Sequence, residues 1–220
     1  MGHRCGRRAV GAGRRGHRAR PRRRRDGRRG QGRRRHLAAG SRPVTSEATA
    51  HLGLGSNLGD RAANLASALD ALERAGLTVE AVSSVYDTPP WGEPPPGLAE
   101  PPRYANAAAA VRGDLEPVDL LRLCKGIEVA SGRDLHAARN APRVLDLDVL
   151  LLGDVELTTP ELEVPHPRMH LRAFVLVPLS EIAPYARHPR LGRTVRELLD
   201  GINEGEVEEV ELLLASGWWR

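Results

Sequence analysis

The chain has few of the residues that characterise several large classes of protein. Its two cysteines, Cys5 and Cys124, suit neither a disulfide framework nor a cysteine metal site, so a reducing cytoplasm is expected. No apolar stretch is long enough to span a membrane, and no secretory signal is recognisable. Three Trp, three Tyr and one Phe are too few for the stacking surface of an RNA-recognition domain. We therefore expect a soluble protein without a membrane partner, and nucleic-acid binding is disfavoured.

Lysine is almost absent too, since Lys125 is the single lysine among 33 Lys and Arg residues. Residues 1–43 contain 17 arginines and one acidic residue, Asp26, whereas residues 44–220 contain 16 basic and 27 acidic residues. The Arg-rich leader cannot bury enough apolar surface to offset its ordering entropy, so we expect residues 1–47 to be disordered. Its composition favours translation of GC-rich DNA from a misplaced start codon. Phosphate contact with a nucleic acid is the less favoured alternative.

The rest of the chain predicts an acidic domain over residues 48–203. Apolar spacing, N-caps and turn residues predict the order strand, helix, strand, strand, helix, strand. This order is the ferredoxin-like α+β pattern, an antiparallel sheet with two helices on one face. Residues 171–179 are predicted to form another extended segment, and residues 204–220 form an extension without an assigned role. The six main elements are predicted at residues 48–54, 61–75, 77–87, 104–112, 117–131 and the strand of Asp146 and Asp148.

Asp146 and Asp148 are two residues apart in an otherwise hydrophobic segment, residues 144–153. In a strand, residues i and i+2 share a face, so the two carboxylates project side by side. Neighbouring carboxylates on a buried face repel each other, and a fold keeps them where hard divalent metals neutralise them. Arg143, just before the pair, suits a substrate with several phosphates. On these residues alone, an edge strand with its polar face in water stays open as an alternative.

Four motifs occur in order along the acidic domain. They are residues 55–60 (GSNLGD), 86–92 (YDTPPWG), 142–148 (PRVLDLD) and 164–176 (VPHPRMHLRAFVL). Together they resemble the 6-hydroxymethyl-7,8-dihydropterin pyrophosphokinase family over about residues 48–200. One motif would be weak evidence, but four at plausible spacing are strong. The resemblance implies transfer of diphosphate from ATP to the hydroxymethyl group of the pterin, giving AMP and the pterin diphosphate in tetrahydrofolate biosynthesis.

The resemblance also implies roles for individual residues. Asp146 and Asp148 match two aspartates that bind two Mg²⁺ ions across the ATP phosphates, and Arg143 and Arg133 complete the expected catalytic set. The expected ATP contacts are Glu128, Arg133, Arg143, His166 and Arg172. The expected pterin contacts are Thr88, Pro89, Trp91, Tyr104, Asn106 and Phe174. The implied partners are the two small-molecule substrates, and a cytoplasmic monomer is expected.

Structural interpretations of the same residues stay open. Phe174 is the single Phe and lies in an apolar run, where core packing is almost as favoured as ligand stacking. Residues 55–57 favour a tight turn that supports the pocket over a phosphate loop, because the Walker spacing is absent. The chain departs from the family pattern at Leu135 and Asn140, which leaves a catalytically silent pterin-binding relative as the alternative function.

Overall fold

The structure is a computed structural model that describes residues 48–92, 102–133 and 141–220. The predictions for residues 1–47 lie outside these ranges and stay predictions, as do those for Leu135 and Asn140. None of the helices in the described ranges is long and apolar enough to cross a membrane.

An antiparallel sheet of six strands forms the centre of the fold. Its strands are β1 (Ala50–Ser56), β2 (Thr78–Val82), β3 (Val85–Thr88), β4 (Tyr104–Arg112), β5 (Asp146–Leu152) and β10 (Glu211–Leu214). The order across the sheet is β10, β3, β4, β1, β5, and β2 also pairs with β4. The helices are α1 (Arg61–Arg74), α2 (Pro117–Ala130), α3 (Ala173–Ile182), α4 (Val195–Leu199) and α5 (Glu204–Glu208). Two short pairs complete the fold, β6 (Leu157–Thr158) with β7 (Glu163–Val164) and β8 (Arg187–His188) with β9 (Arg193–Thr194).

Helices cover both faces of the sheet. Alternate residues, such as Leu54 on β1 and Ala107 on β4, pack against α1 and α2. On the other face, Ala108 and Leu150 pack against α3 and α4. The predicted antiparallel sheet with two helices on one face is therefore confirmed, and α3 forms an additional layer on the opposite face.

Strand β4 is built almost entirely from small residues. Between Tyr104 and Val111 it carries five alanines and Asn106, and each of these six residues is at most 7% exposed. The helices on both sides can therefore approach the sheet closely at its centre.

The first helix shows how local sequence sets an element boundary. The side chain of Asp60 accepts a hydrogen bond from the backbone N–H of Ala63 at 3.1 Å and caps α1. Leucines at positions 65, 69 and 72 then lie on one buried stripe. Gly76, with a φ of 92°, follows the helix in a left-handed conformation that glycine favours. The predicted helix is thereby confirmed to within one residue.

Residues 77–87 are predicted as one strand but form two, β2 and β3, on either side of Ser83. The Ser83 Oγ accepts a hydrogen bond from the backbone N–H of Ala108 at 2.9 Å, in place of a backbone carbonyl. The backbone N–H and the hydroxyl of Ser84 both donate to the Glu181 carboxylate at the end of α3, each at 2.9 Å. Side-chain bonds thus interrupt the ladder, as in a β-bulge.

The extended conformation predicted for residues 171–179 is wrong, because this segment contributes most of helix α3. Pro178 inside the helix removes one backbone hydrogen bond, and the β-branched residues lower helix propensity. The helical conformation nevertheless places an apolar face against the sheet, and its burial outweighs the local preference. That face consists of Val175, Leu176 and Leu179.

Residues 204–220 extend the sheet. Strand β10 pairs with β3 and forms its edge. The indole N–H of Trp218 donates to the Ser83 carbonyl at 2.8 Å, and Trp218 and Trp219 pack on the α1 and α2 core. The C-terminal segment therefore supports β3, the strand that ends at Thr88.

Candidate active site

The acidic pair lies at the start of β5, on the sheet face that α3 covers. Asp146 and Asp148 alternate with Leu147 and Val149, which point into the opposite core. Asn106 is two residues before Ala108 on β4 and shares its face. Strand β1 separates β4 from β5 and carries glycine at positions 53 and 55 on that face. At these two positions β1 has no side chain, so the surface of the sheet is open between Asn106 and the two aspartates.

Gly55 marks the point where the predicted metal and pterin residues meet. A Cβ atom on Gly55 would lie 3.1 Å from the Asn106 Oδ1, 3.9 Å from the Asp146 Cβ and 3.9 Å from the Tyr104 Cδ1. Residues 55–57 therefore do more than turn the chain, because the missing side chain of Gly55 leaves space between the two groups of site residues.

Cationic side chains surround the acidic pair. The Asp146 Oδ1 accepts hydrogen bonds from Arg133 at 3.3 Å and from Arg143 at 3.2 Å. Lys125 Nζ lies 3.9 Å from the Asp148 Oδ1. Burial and the neighbouring Asp146 carboxylate raise the pKa of Asp148, so a bound cation would stabilise the ionised form of this carboxylate.

Glu128 is buried between α2 and β5. Its carboxylate accepts hydrogen bonds from the Leu147 backbone N–H at 2.7 Å and from Lys125 at 2.6 Å. It also accepts a hydrogen bond from Arg133. Both oxygens therefore bind protein groups, and Glu128 orients Arg133 and fixes the backbone between the two aspartates. Its predicted contact with the nucleotide stays a prediction.

Asn57 and Lys125 contact site residues, although the sequence predicts a role for neither: Asn57 lies in the first motif, where a tight turn is expected, and Lys125 lies outside the four motifs. The Asn57 side chain accepts a hydrogen bond from the Arg143 backbone N–H at 2.7 Å, and the Asn57 N–H donates to the Arg143 carbonyl at 3.1 Å. This reciprocal pair fixes Arg143 beside Asp146. Lys125 precedes Glu128 by three residues on α2, a spacing that places both on one helix face and could have identified it.

His166 and Arg172 come from the segment that leads into α3. Burial and the charges of Arg172 and Arg168 lower the pKa of His166 to about 4, so its imidazole is neutral near pH 7. Its Nδ1 accepts the Arg168 backbone N–H at 3.2 Å, which leaves the Nε2–H free to donate to a ligand. Arg172 is 9% exposed, and its Nε has no hydrogen-bond partner within the described residues. Unsatisfied buried donors of this kind are suited to phosphate oxygens.

The aromatic residues predicted for the pterin lie next to Arg172. Its guanidinium carbon is 4.6 Å from the centroid of the Trp91 ring and 5.4 Å from that of Phe174. Trp91 is 44% exposed and Phe174 is partly buried, so both rings are accessible at the edge of α3. Phe174 also packs against the core between the sheet and α3, so ligand stacking and core packing both stay predictions for this residue.

The polar residues predicted for the pterin lie on β3 and β4. The Asn106 side-chain amide donates to the Thr88 Oγ1 at 2.7 Å, and both residues are buried. Asn106 keeps its carbonyl oxygen and a second N–H for a ligand. Thr88 pairs with Tyr104 at the end of the ladder, and Pro89 follows, partly buried.

The two aspartates fit a metal ion that takes most of its ligands from the substrate and from water. In residues 48–92, 102–133 and 141–220, no group of three or more His, Cys, Asp or Glu side chains forms a metal site of its own. Two carboxylates that await phosphate oxygens and water are typical of Mg²⁺. Adjacent acidic residues surrounded by cations are typical of a metal-dependent enzyme that transfers phosphate groups.

Comparisons with known proteins identify which enzyme family has this arrangement. Residues 51–184 match the family model of 7,8-dihydro-6-hydroxymethylpterin-pyrophosphokinase. The 2-amino-4-hydroxy-6-hydroxymethyldihydropteridine pyrophosphokinase of Methylorubrum extorquens is 44% identical over 163 residues, 74% of this chain and 98% of the relative. Its namesake from Pseudomonas aeruginosa is 44% identical over 150 residues, 68% of this chain and 88% of the relative. The chain therefore belongs to the 7,8-dihydro-6-hydroxymethylpterin pyrophosphokinase family.

Solved structures agree on the fold. The crystal structure of wild-type Plasmodium falciparum HPPK-DHPS with pteroate has a TM-score of 0.56 and 17% identity over 70% of this chain. This chain spans 42% of that one, so the likeness concerns less than half of the larger protein.

Proposed function

We propose that the acidic pair, the surrounding cations and the aromatic slot together carry out the family's reaction. In that reaction, diphosphate is transferred from ATP to the hydroxymethyl group of 6-hydroxymethyl-7,8-dihydropterin, giving AMP and the pterin diphosphate in folate biosynthesis. The shared face of Asp146, Asp148 and Asn106 over Gly55 is the observation on which the assignment of residues depends.

Asp146 and Asp148 would hold two Mg²⁺ ions. The adjacent carboxylates and the raised pKa of Asp148, caused by burial and by Asp146, support this assignment. When bound, the ions supply charge neutralisation and polarise the phosphate oxygens.

Arg133 and Arg143 change partners when the nucleotide binds. In the free protein both donate to the same Asp146 oxygen. Phosphate oxygens are stronger acceptors for two guanidinium groups than one shared carboxylate oxygen, so the arginines turn to the triphosphate and release Asp146. His166, through its Nε2–H, and Arg172, through the Nε that has no partner among the described residues, bind the remaining oxygens.

The pterin is positioned by Asn106 and the aromatic rings. The Asn106 amide recognises an edge of the heterocycle, while Phe174, Tyr104 and Trp91 offer faces on which a flat ring stacks. This arrangement directs the hydroxymethyl oxygen toward the β-phosphorus for in-line attack, and AMP leaves. The protein contributes position and charge, which dominate phosphate transfer.

Substitution of the two aspartates tests the proposal. Asp146→Asn and Asp148→Asn each remove one negative charge with little change of shape, and AMP formation measured against Mg²⁺ concentration should collapse in both. Asp70→Asn is the matched control, because Asp70 is exposed on α1 and should leave the rate unchanged. Near-normal turnover of either site variant at ordinary Mg²⁺ would rule out the assignment.

The finer parts of the assignment have separate tests. A dispensable leader is tested by removing residues 1–47 and measuring AMP formation, and a domain that ends at residue 203 is tested by removing residues 204–220, which contribute strand β10 to the sheet. A monomeric state is tested by light scattering, and a cytoplasmic location by cell fractionation.

A further inference from the structure

Three charged residues form an ion cluster directly behind the predicted pterin slot. We define the loop-base cluster as Arg61 at the start of α1, Asp87 on β3 and Arg103 just before β4. The Asp87 carboxylate accepts a hydrogen bond from Arg61 at 2.6 Å through Oδ1 and another from Arg103 through Oδ2. Both oxygens of one carboxylate thus bind cations from two different segments.

The cluster joins the two ends of the loop that carries Pro89 and Trp91. The final pair of the β3–β4 ladder is Thr88 with Tyr104, and Asp87 and Arg103 directly precede these residues in sequence. Arg103 also donates to the Asp87 backbone carbonyl at 3.2 Å. The side-chain pair therefore closes the loop at its base, where a ladder would otherwise fray.

The cluster cannot touch the substrates, because it lies on the other face of the sheet. Asp87 pairs with Ala105, whose side chain lies in the α1 and α2 core, while Thr88 points toward Asn106. Arg61 reaches the cluster from α1 on the same back face, and it also donates to the Arg103 carbonyl at 3.0 Å. The cluster can therefore act on the slot only through the backbone of β3 and β4.

The cluster is partly shielded from solvent. The side chains of Asp87 and Arg61 are 17% and 28% exposed, and that of Arg103 is 40% exposed. Burial alone would raise the pKa of Asp87, but the hydrogen bonds from Arg103 and Arg61 hold it below its ordinary value. Arg103 extends the network to β10, where Glu211 lies 3.3 Å from its Nη2.

We propose that Arg61, Asp87 and Arg103 are positioning residues for the pterin: the cluster fixes the separation and tilt of Thr88 and Tyr104, and with them the Asn106 amide, without contributing to the ATP site. The proposal rests on the proposed function. The expected ATP residues lie on or just after α2, just before β5 and before α3, and within the described residues none of the hydrogen bonds of the cluster involves them. Loss of the cluster should therefore affect the two substrates unequally.

The experiment compares the affinity for each substrate separately. Asp87→Asn leaves both arginines without their anion, and we expect the pterin Kd, measured by calorimetry with a non-hydrolysable ATP analogue present, to rise about tenfold. A tenfold change in Kd corresponds to about 1.4 kcal/mol, which is comparable to the net contribution of about one hydrogen bond of the Asn106 amide. The Kd of the ATP analogue alone should change by less than about twofold. Glu80→Gln is the matched control, because it breaks a pair of 2.9 Å with Arg112 at the other end of β4.

Charge reversal separates positioning from simple stability. The triple variant Arg61→Asp, Asp87→Arg and Arg103→Asp reverses every charge of the cluster, restores opposite charges at the base of the loop, and should recover pterin affinity relative to Asp87→Arg alone. If Asp87→Asn does not fold, Arg103→Gln replaces it, since the pair of Arg61 and Asp87 then remains.

The outcomes distinguish this proposal from the proposed function. Unchanged pterin affinity in the single variants, equal weakening of pterin and ATP analogue, or no recovery on reversal would each overturn the role of the cluster. A wild-type protein that binds both ligands but releases no AMP would instead overturn the proposed function, and the cluster would still be judged by pterin affinity.

Discussion

Replacing Gly55 with alanine should weaken pterin binding and leave the fold intact. The new Cβ would lie 3.1 Å from the Asn106 Oδ1, closer than an ordinary contact, so the amide must move by a few tenths of an ångström. Asn106 cannot move freely, because its amide donates to Thr88 at 2.7 Å. Overpacking a tight site costs about 1–3 kcal/mol, and for a single methyl group we expect about 1–2 kcal/mol. If pterin binding requires the amide in its original position, this cost raises the pterin Kd by a factor of about 5–30. In a strand, alanine is more stable than glycine by about 0.5–1 kcal/mol, so the substitution should not lower the free energy of unfolding by much.

The assay is calorimetric titration of pterin in the presence of an ATP analogue, together with a thermal melt. Gly53→Ala is the matched control, since Gly53 lies on the same strand and face but its Cβ would meet only the Leu150 side chain, at 3.5 Å. We expect the control to bind pterin within about twofold of wild type. Pterin affinity in Gly55→Ala equal to that of the control would refute the role assigned to Gly55.

Two further predictions concern charge. Without metal, Asp148→Asn should melt at or above the wild-type temperature, because burial and Asp146 disfavour the ionised form of Asp148. Asp146→Asn should melt at a lower temperature than wild type, because Arg133 and Arg143 lose a charged acceptor. A lower melting temperature for Asp148→Asn would contradict this account. For His166, burial lowers the folded pKa to about 4 from 6.5, so the unfolded chain binds the proton first and stability falls as the pH drops from about 6.5 toward about 4. His166→Gln should lose less stability than wild type between about pH 7 and pH 5 in urea unfolding, and parallel losses would contradict the assignment.

The acidic pair could be predicted because its signal is local. Two aspartates at i and i+2 in an apolar segment must share a face of a strand, whatever surrounds them. Strand β4 and helix α1 were predictable for the same reason, since apolar runs and a capping aspartate lie within a few residues of each other. The order of these elements then sufficed for the fold class.

Features that depend on distant residues could not be predicted. The break at Ser83 requires partners on β4 and on α3, and α3 itself forms because the sheet offers an apolar surface that compensates for Pro178. Lys125 reaches Asp148 only because Glu128 ties α2 to β5. The space beside Gly55 can be recognised only once β4 and β5 are known to lie on either side of it.

The small residues of β4 restrict how the site can change over evolution or by design. The five alanines and Asn106 are buried between helices on both sides, so a larger side chain at these positions would displace a helical layer. Gly55 is confined in the same way by Asn106 and Asp146. Among the described residues, room for a bulkier ligand at the proposed pterin site can therefore come from the side of Trp91 and Phe174. The sheet surface tolerates little change, and substitutions that alter ligand selectivity are better placed on the opposite side of the proposed site.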